Sequence, residues 1–301
     1  MTKTTTNLLG ILITILAGTM LYMTLCSSCG VPEVTTAVEP AVVPTTLEAT
    51  SYPFAFSDGD YAYNESDNYN FNMSSSSILM PLSGKVTSGV TSLKSYLLDN
   101  SGKVINITGY YSANETNSSA YPDLGMARAN AVKNHLVQNG VSSAQINTMG
   151  MLKEELVPRD AVYLGPIAYS LSGEAANSEA ELSAILDRIK ADPLILYFET
   201  NQTSIELTAQ QRQKVADISR YLDKVPGSTC NVQGHTDNVG ERTSNIALGQ
   251  DRADFAKSYL IKNGIEGAKI ITSSKGPDTP IESNATEAGR AKNRRTVVTF
   301  N

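Results

Sequence analysis

The sequence predicts an α/β (α+β) sandwich built twice: two tandem domains, each a mixed sheet covered by helices on one face, behind an N-terminal hydrophobic anchor helix. Three observations predict it. Strand-like and helix-like hydrophobic periods alternate along most of the 301 residues, and such alternation implies a sheet covered by helices with some parallel pairing. A spaced pattern recurs: Tyr96-Leu97 stand as far before Gly109 as Tyr221-Leu222 before Gly234, Arg128 and Arg252 are each followed at equal distance by Gly140 and Gly264, and Ile146 and Ile270 come next. An uncharged run opens the chain. The hydrophobic fraction of 41% supports packed cores, and the length leaves room for two ordinary domains.

The opening run, residues 8–25, is preceded only by Lys3 and the amino terminus as positive charges. It reaches the lower length limit of a membrane span and exceeds a usual signal-peptide core. The positive end stays in the cytoplasm, so the remainder is expected to be exported. Two anchoring modes are open: an inner-membrane helix, or a lipoprotein signal ending at Cys26 or Cys29. The residues before Cys26 (Met23, Thr24, Leu25) suit a small-residue cleavage site poorly and favour the uncleaved helix. Cys26-Ser-Ser-Cys29 has redox-motif spacing without the strand and helix that give such a motif function. Residues 1–29 are thus read as anchor or signal segment, and the Pro-, Thr- and Val-rich residues 30–50 as an extended linker. The two domains follow at 51–172 and 173–301.

The second copy is the clearer. A helix with Leu182, Ile185, Leu186 and Ile189 on one face ends at Pro193. A strand follows at 194–198, a helix at 208–222 through Val215, Ile218 and Leu222, and a strand leading to Gly234 with Cys230 and Val232 inward. A loop holds the charged motif, a helix at 250–262 buries Ala253, Ala256, Tyr259 and Leu260, and strands at 269–272 and 296–300 close the domain. In the first copy Phe71, Ile78, Leu93, Tyr96, Ile105, Ile107, Ala129, Val132 and Leu136 take the corresponding positions. Residues 54–71, alternating aromatics with acids and amides, read as one or two strands with a polar outer face.

Chemistry is sparse. The two histidines lie in no metal-binding pattern, and there is no nucleophile elbow, phosphate-binding loop or cofactor motif. Neither an enzyme nor a bound metal or cofactor is expected. His235 has Tyr110 as its counterpart, so the position asks for a flat amphipathic ring rather than a base. A net charge of -6 argues against nucleic acid, whose binding needs a basic surface. What stands out is Asp237 after a strand with Arg252 early in the next helix. A carboxylate facing a guanidinium across a cleft fits an amino acid head group, and a surface ion pair of little energetic weight fits the spacing equally.

Residues 234–240 (GHTDNVG), Asn245, Leu248, Asp251-Arg252-Ala253, Asn263-Gly264 and residues 289–295 (GRAKNRR) together resemble the OmpA-like C-terminal domain, over about residues 190–301. That resemblance implies non-catalytic binding of the peptide stem of peptidoglycan, with the ends of diaminopimelate held by Asp237 and Arg252 and with Thr236, Asn201 and Asn245 near the pocket. It implies a protein of the bacterial envelope, both domains in the periplasm, tethering a membrane to the wall. Arg294 and Arg295 are expected mainly to order the last strand. Gly249-Gln250 replace the serine and acid usual there, which is expected to soften the helix cap. The first copy keeps Gly109, Leu124, Arg128, Ala129 and Gly140 but has Ser112 opposite Asp237, and reads as a pseudo-repeat. Arg128 is left able to bind a carboxylate, with Glu115 available from the same loop. The alternative reading is an interaction component of a larger envelope complex, with the first domain binding a protein partner and wall binding secondary.

Overall fold

The computed structural model describes residues 3–25, 48–173, 179–197 and 206–301, with the side chains of the first helix described from Gly10 to Thr24. Two compact units separate, Met1–Leu47 and Glu48–Asn301. In the first, helix α1 (Lys3–Leu25) presents Ile11, Leu12, Ile13, Ile15, Leu16, Met20, Leu21, Tyr22 and Met23, each more than half exposed. Among the described residues no helix is long and apolar enough to cross a membrane. The spanning helix expected at residues 8–25 is therefore not found. The described side chains fall short of the roughly 20 residues a span needs, and both ends of the run lie outside them. Cys26, Cys29 and most of the expected linker also lie outside the described residues.

The second unit opens with a hairpin of β1 (Phe54–Asp58) and β2 (Tyr61–Glu65), then β3 (Phe71–Asn72) and α2 (Gly84–Asp99). Next come β4 (Lys103–Tyr111), α3 (Leu124–Gln138), β5 (Ile146–Leu152), β6 (Val162–Tyr163) and β7 (Ile167–Gly173). The chain continues through α4 (Glu179–Ala191), β8 (Leu194–Tyr197), α5 (Ala209–Lys224), β9 (Cys230–His235), α6 (Arg242–Lys262), β10 (Ile270–Gly276), α7 (Glu287–Asn293) and β11 (Arg295–Phe300). The boundary expected at 172/173 abuts residues 174–178, which lie outside the described residues.

Two mixed sheets result, in the orders β5-β4-β7 and β10-β9-β11-β8. In each, a central strand pairs parallel with the strand beyond its crossover helix: β4 with β5 around α3, and β9 with β10 around α6. The last strand of each half, β7 or β11, returns antiparallel on the other side of the central strand. Strand alternation decides which face is covered. Ile105 and Ile107 of β4 point into a core made with Val86, Val90 and Leu93 of α2 and Ala129, Val132 and Leu136 of α3. On the opposite face the Asn147 amide donates to Asn106 Oδ1 at 2.8 Å, and Asn106 donates to Ser172 at 3.0 Å. The second half repeats the scheme. Cys230 and Val232 of β9 meet Val215, Ile218 and Leu222 of α5 and Ala253, Ala256 and Leu260 of α6. Cys230 is a core thiol, pushed up to about 11 by burial. Helix α5 begins where a capping box places it: the Gln211 amide donates to the Thr208 hydroxyl at 3.2 Å, and Gln211 Oε1 accepts from the Thr208 amide at 2.8 Å.

Helix α6 starts well before the expected residue 250. The stretch 242–249 lacks an apolar stripe and so reads as loop, yet it is helical. Asn245 turns inward to bond the Val239 carbonyl, and Gly249 fills the face where a large side chain would not fit. Gly249 is therefore a mid-helix residue. The expected softening of the cap does not arise there, since the cap is Glu241, which makes no side-chain cap bond.

A glycine pair sets how closely each crossover helix lies on its central strand. A Cβ on Gly234 would stand 1.8 Å from the Gly249 carbonyl oxygen, and one on Gly109 would stand 2.0 Å from the Gly125 carbonyl oxygen. Both helices then end on a glycine with positive φ, Gly140 at 93° and Gly264 at 92°, the left-handed turn that closes a helix C-terminus. Replacing Gly234 by Ala is expected to cost about 3 kcal/mol, the upper end of overpacking, because backbone cannot yield as a side chain can. Gly249→Ala, whose nearest obstacle is the Ser274 hydroxyl at 2.3 Å, should cost less. Urea midpoints of the two variants measure this, and an unchanged midpoint for Gly234→Ala would contradict the crossing.

Candidate functional site

The site is built where β9 runs out. His235 ends the strand, and the Thr236 amide makes one more bond, to the Gly276 carbonyl at 2.9 Å. The chain then turns at Asp237, whose Oδ1 accepts the Val239 amide at 3.0 Å. That local bond shapes the loop. The Asn245 amide holds the same loop from below, donating to the Val239 carbonyl at 3.0 Å. Thr236 is buried and its hydroxyl donates to the Asp237 carbonyl at 2.9 Å. Thr236 and Asn245 thus act as supports of Asp237 through the backbone. Asn201 lies outside the described residues.

Arg252 reaches the site from the middle of α6 and is buried, with Nη1 donating to the His235 carbonyl at 3.1 Å. This bond ties it to the end of the strand, and Asp237 acts on it through charge. Burial lowers the Arg252 pKa, Arg294 lowers it further and Asp237 opposes them. A side chain in direct contact with Asp237 is Arg294, which was expected mainly to order the last strand. Its Nη1 donates to Asp237 Oδ2 at 3.0 Å and its Nη2 to Glu287 Oε1 at 2.8 Å. Burial alone would lower the Arg294 pKa, but the bonds to Asp237 and Glu287 outweigh it and push the guanidinium above its usual value. Arg294 Nε is buried with no hydrogen-bond partner among the described residues. The neighbours of Arg294 have the ordering role. Asn293 Oδ1 accepts the Ile281 and Glu282 amides at 2.8 and 3.1 Å, and Arg295 Nη2 donates to the Thr279 carbonyl at 3.2 Å.

The result is a carboxylate at the lip of a strand end with two guanidiniums near it, one buried behind and one clamped to it. The charges have the signs a zwitterion would need, an acid to attract an ammonium and an arginine charge to attract a carboxylate. Sequence reasoning missed Arg294 and Glu287 as parts of this cluster. The signal was available, because the motif at 293–295 and the acid at 237 are both present in the second copy and both missing from the first.

The equivalent place in the first half is closed. Arg128 is fully buried, and its Nη1 donates to the Tyr110 carbonyl at 2.9 Å as Arg252 does to that of His235. Ser112 stands where Asp237 would. The Glu115 carboxylate lies on Arg128 through two bonds, 3.0 Å from Nη1 and 2.5 Å from Nη2, with neither side chain exposed.

The OmpA family model matches residues 71–162 and 197–294, one segment in each half. The chain belongs to the OmpA family. Among relatives, this OmpA-family chain is 35% identical over 113 residues to the probable lipoprotein YiaD of Escherichia coli, covering 36% of the chain and 52% of YiaD. It is 40% identical over 87 residues to the peptidoglycan-binding protein ArfA of Mycobacterium tuberculosis, covering 28% of the chain and 27% of ArfA. The chain thus spans about half the length of the first and about a quarter of the second. A crystal structure of the peptidoglycan-associated lipoprotein from Burkholderia pseudomallei aligns at 29% identity, TM-score 0.32, over 36% of this chain and 89% of that one.

His235 lies under the site, with Nδ1 2.9 Å from the Thr279 hydroxyl. Burial, then Arg295 and Lys275, lower its pKa to about 4. The unfolded chain takes up this proton below about 6.5, whereas the folded chain holds out to about 4. The contribution is therefore complete above pH 6.5 and is lost as pH falls from 6.5 towards 4. Wild type is expected to lose on the order of 3 kcal/mol more than His235→Gln across that window, read from urea midpoints at pH 4.5 and 7. Parallel loss in both proteins would contradict the assignment.

Proposed function

We propose that the second half binds the peptide stem of peptidoglycan without cleaving it, and so ties an envelope membrane to the cell wall. The reading rests on one observation: Asp237 held at the strand end by Arg294, with the Arg252 charge behind it. In this reading Asp237 takes the free ammonium of the diaminopimelate side chain and Arg252 its carboxylate. Arg294 fixes the rotamer of Asp237, and Thr236 and Asn245 fix its loop. The name of ArfA, a relative over 87 residues, supports peptidoglycan as the ligand. In the first half the duplicated fold has its arginine occupied by Glu115, which suits a structural partner of the binding half.

In the same reading the N-terminal segment makes the membrane attachment, although the described part of α1 is not long and apolar enough to cross a bilayer by itself. From Ile11 to Met23 its exposed side chains are mostly apolar, which leaves that stretch little polar face to turn to water. Thr14, Thr19 and Thr24 return their hydroxyls to the helix backbone, Thr14 to the Ile11 carbonyl at 2.8 Å, Thr19 to that of Ile15 at 2.9 Å and Thr24 to that of Met20 at 2.9 Å. This reading places both halves outside the cytoplasmic membrane, in the periplasm, whether the helix itself or a lipid on Cys26 or Cys29 holds the chain there.

Binding energy at a single such site is modest, each charge-assisted bond netting about 1.5 to 3 kcal/mol. Retention then comes from the density of stems on the polymer. Asp237→Ala and Arg252→Ala are each expected to weaken cosedimentation with purified sacculi by about ten-fold or more, and the double variant to abolish it. Arg294→Ala should weaken it less, because it removes the clamp and leaves the acid. Wild-type cosedimentation by the Asp237→Ala, Arg252→Ala protein would refute the proposal.

A further inference from the structure

The pair in the first half is more than a lost site. The Glu115 carboxylate is held by four donors: the Ser74 amide at 2.8 Å, the Ser112 amide at 2.9 Å and both Nη atoms of Arg128. The cradle around the guanidinium is built independently of that carboxylate. Nε donates to the Ser75 carbonyl at 3.0 Å, Nη1 to that of Tyr110 at 2.9 Å and Nη2 to that of Asn72 at 3.3 Å. The rings of Phe71 and Tyr163 lie 5.5 and 5.1 Å from its central carbon. Three carbonyls and two aromatic faces therefore fix the guanidinium in position before any acid arrives. Two backbone amides complete a receptor for a planar anion.

We infer that Arg128 is the centre of a second carboxylate-recognition site, that Glu115 is its built-in occupant, and that the pocket takes a small free carboxylate when Glu115 is withdrawn. The ligand class follows from the loop. Ser112 gives a hydroxyl where the other half has Asp237, so the first-half site lacks an arm for an ammonium and recognises a carboxylate alone. In the native chain the occupant is covalently tethered, so its effective concentration is far above that of any competing acid. The protein consequently offers the wall one open site, with the second held shut from within. The comparison of the two arginines rests on reading Arg252 as the carboxylate arm of the open site, whereas the receptor around Arg128 stands on its own contacts.

Removing one partner of a buried ion pair strands the other, a strongly destabilising change. A ligand that refills the space restores stability by mass action. The experiment is thermal unfolding of full-length Glu115→Gly in sodium acetate against sodium chloride at equal ionic strength. The expected result is a Tm well below wild type in chloride and a saturable rise with acetate. Wild type and Glu115→Gln, which keeps a neutral amide in the pocket, should not respond. If Glu115→Gly has no folded state in chloride, a cooperative transition that returns in acetate gives the same answer. Equal behaviour in acetate and chloride, folded or unfolded, overturns the inference. The same variant in an Asp237→Ala, Arg252→Ala background separates the two claims, because its acetate response should persist there irrespective of whether the open site binds sacculi.

Discussion

The structure depends on one contact made twice: an arginine in the crossover helix donating to the carbonyl at the end of the central strand, Arg252 to His235 and Arg128 to Tyr110. A long side chain buried at that place carries its charge into the strand end, and the fold must supply something to meet it. The contact exists only because helix and strand cross backbone to backbone at Gly234 and Gly249, and again at Gly109 and Gly125. Any side chain on the strand glycine would lift the helix, draw the arginine back and dissolve the site. The same crossing accounts for the early start of α6. With Gly249 on the strand, the preceding turns continue the helix and carry Asn245 beneath the loop of Asp237.

The two halves meet the charge in different ways. In the second half, Asp237 sits at the lip and is itself clamped by Arg294, which also reaches Glu287. The opposite charges remain near the surface, Asp237 keeping a side-chain exposure of 15%. In the first half the loop folds over, and Glu115 neutralises Arg128 in full burial. A carboxylate three residues further along the loop, in place of one at the strand end, converts a partly exposed charge cluster into a closed internal pair. The halves also join each other. Tyr121 donates to the Asn263 carbonyl at 2.8 Å, and Lys133, almost fully buried, pairs with Asp223 at 2.5 Å. The closed half thereby packs on the turn that ends α6, the helix that carries Arg252.

Much of this was legible in the sequence. The spacing of Gly109, Arg128 and Gly140 against Gly234, Arg252 and Gly264 reflects the shared strand–helix–strand geometry, and Ile105, Ile107, Val215, Ile218 and Leu222 face inward as strand and helix periods require. The start of α6 was not legible, because helix periodicity is read from large apolar residues and this segment buries an asparagine and a glycine instead. The role of Arg294 was obscured by its place beside Asn293 and Arg295. Those two order loop and strand, whereas the side chain between them turns the other way, towards an acid far away in sequence. The pairing of Glu115 with Arg128 could be suspected from their loop. Its fully buried, two-bond geometry depends on Ser74 and Ser112, which no local pattern brings together.

The most direct test of the account is an amide NMR titration of the chain with a stem tripeptide ending in diaminopimelate. Saturable shifts are expected, confined to residues 235–240, the α6 turn around Arg252 and residues 293–295, with residues 110–116 and Arg128 unmoved. Shifts centred on the first half, or none at the end of β9, would contradict it.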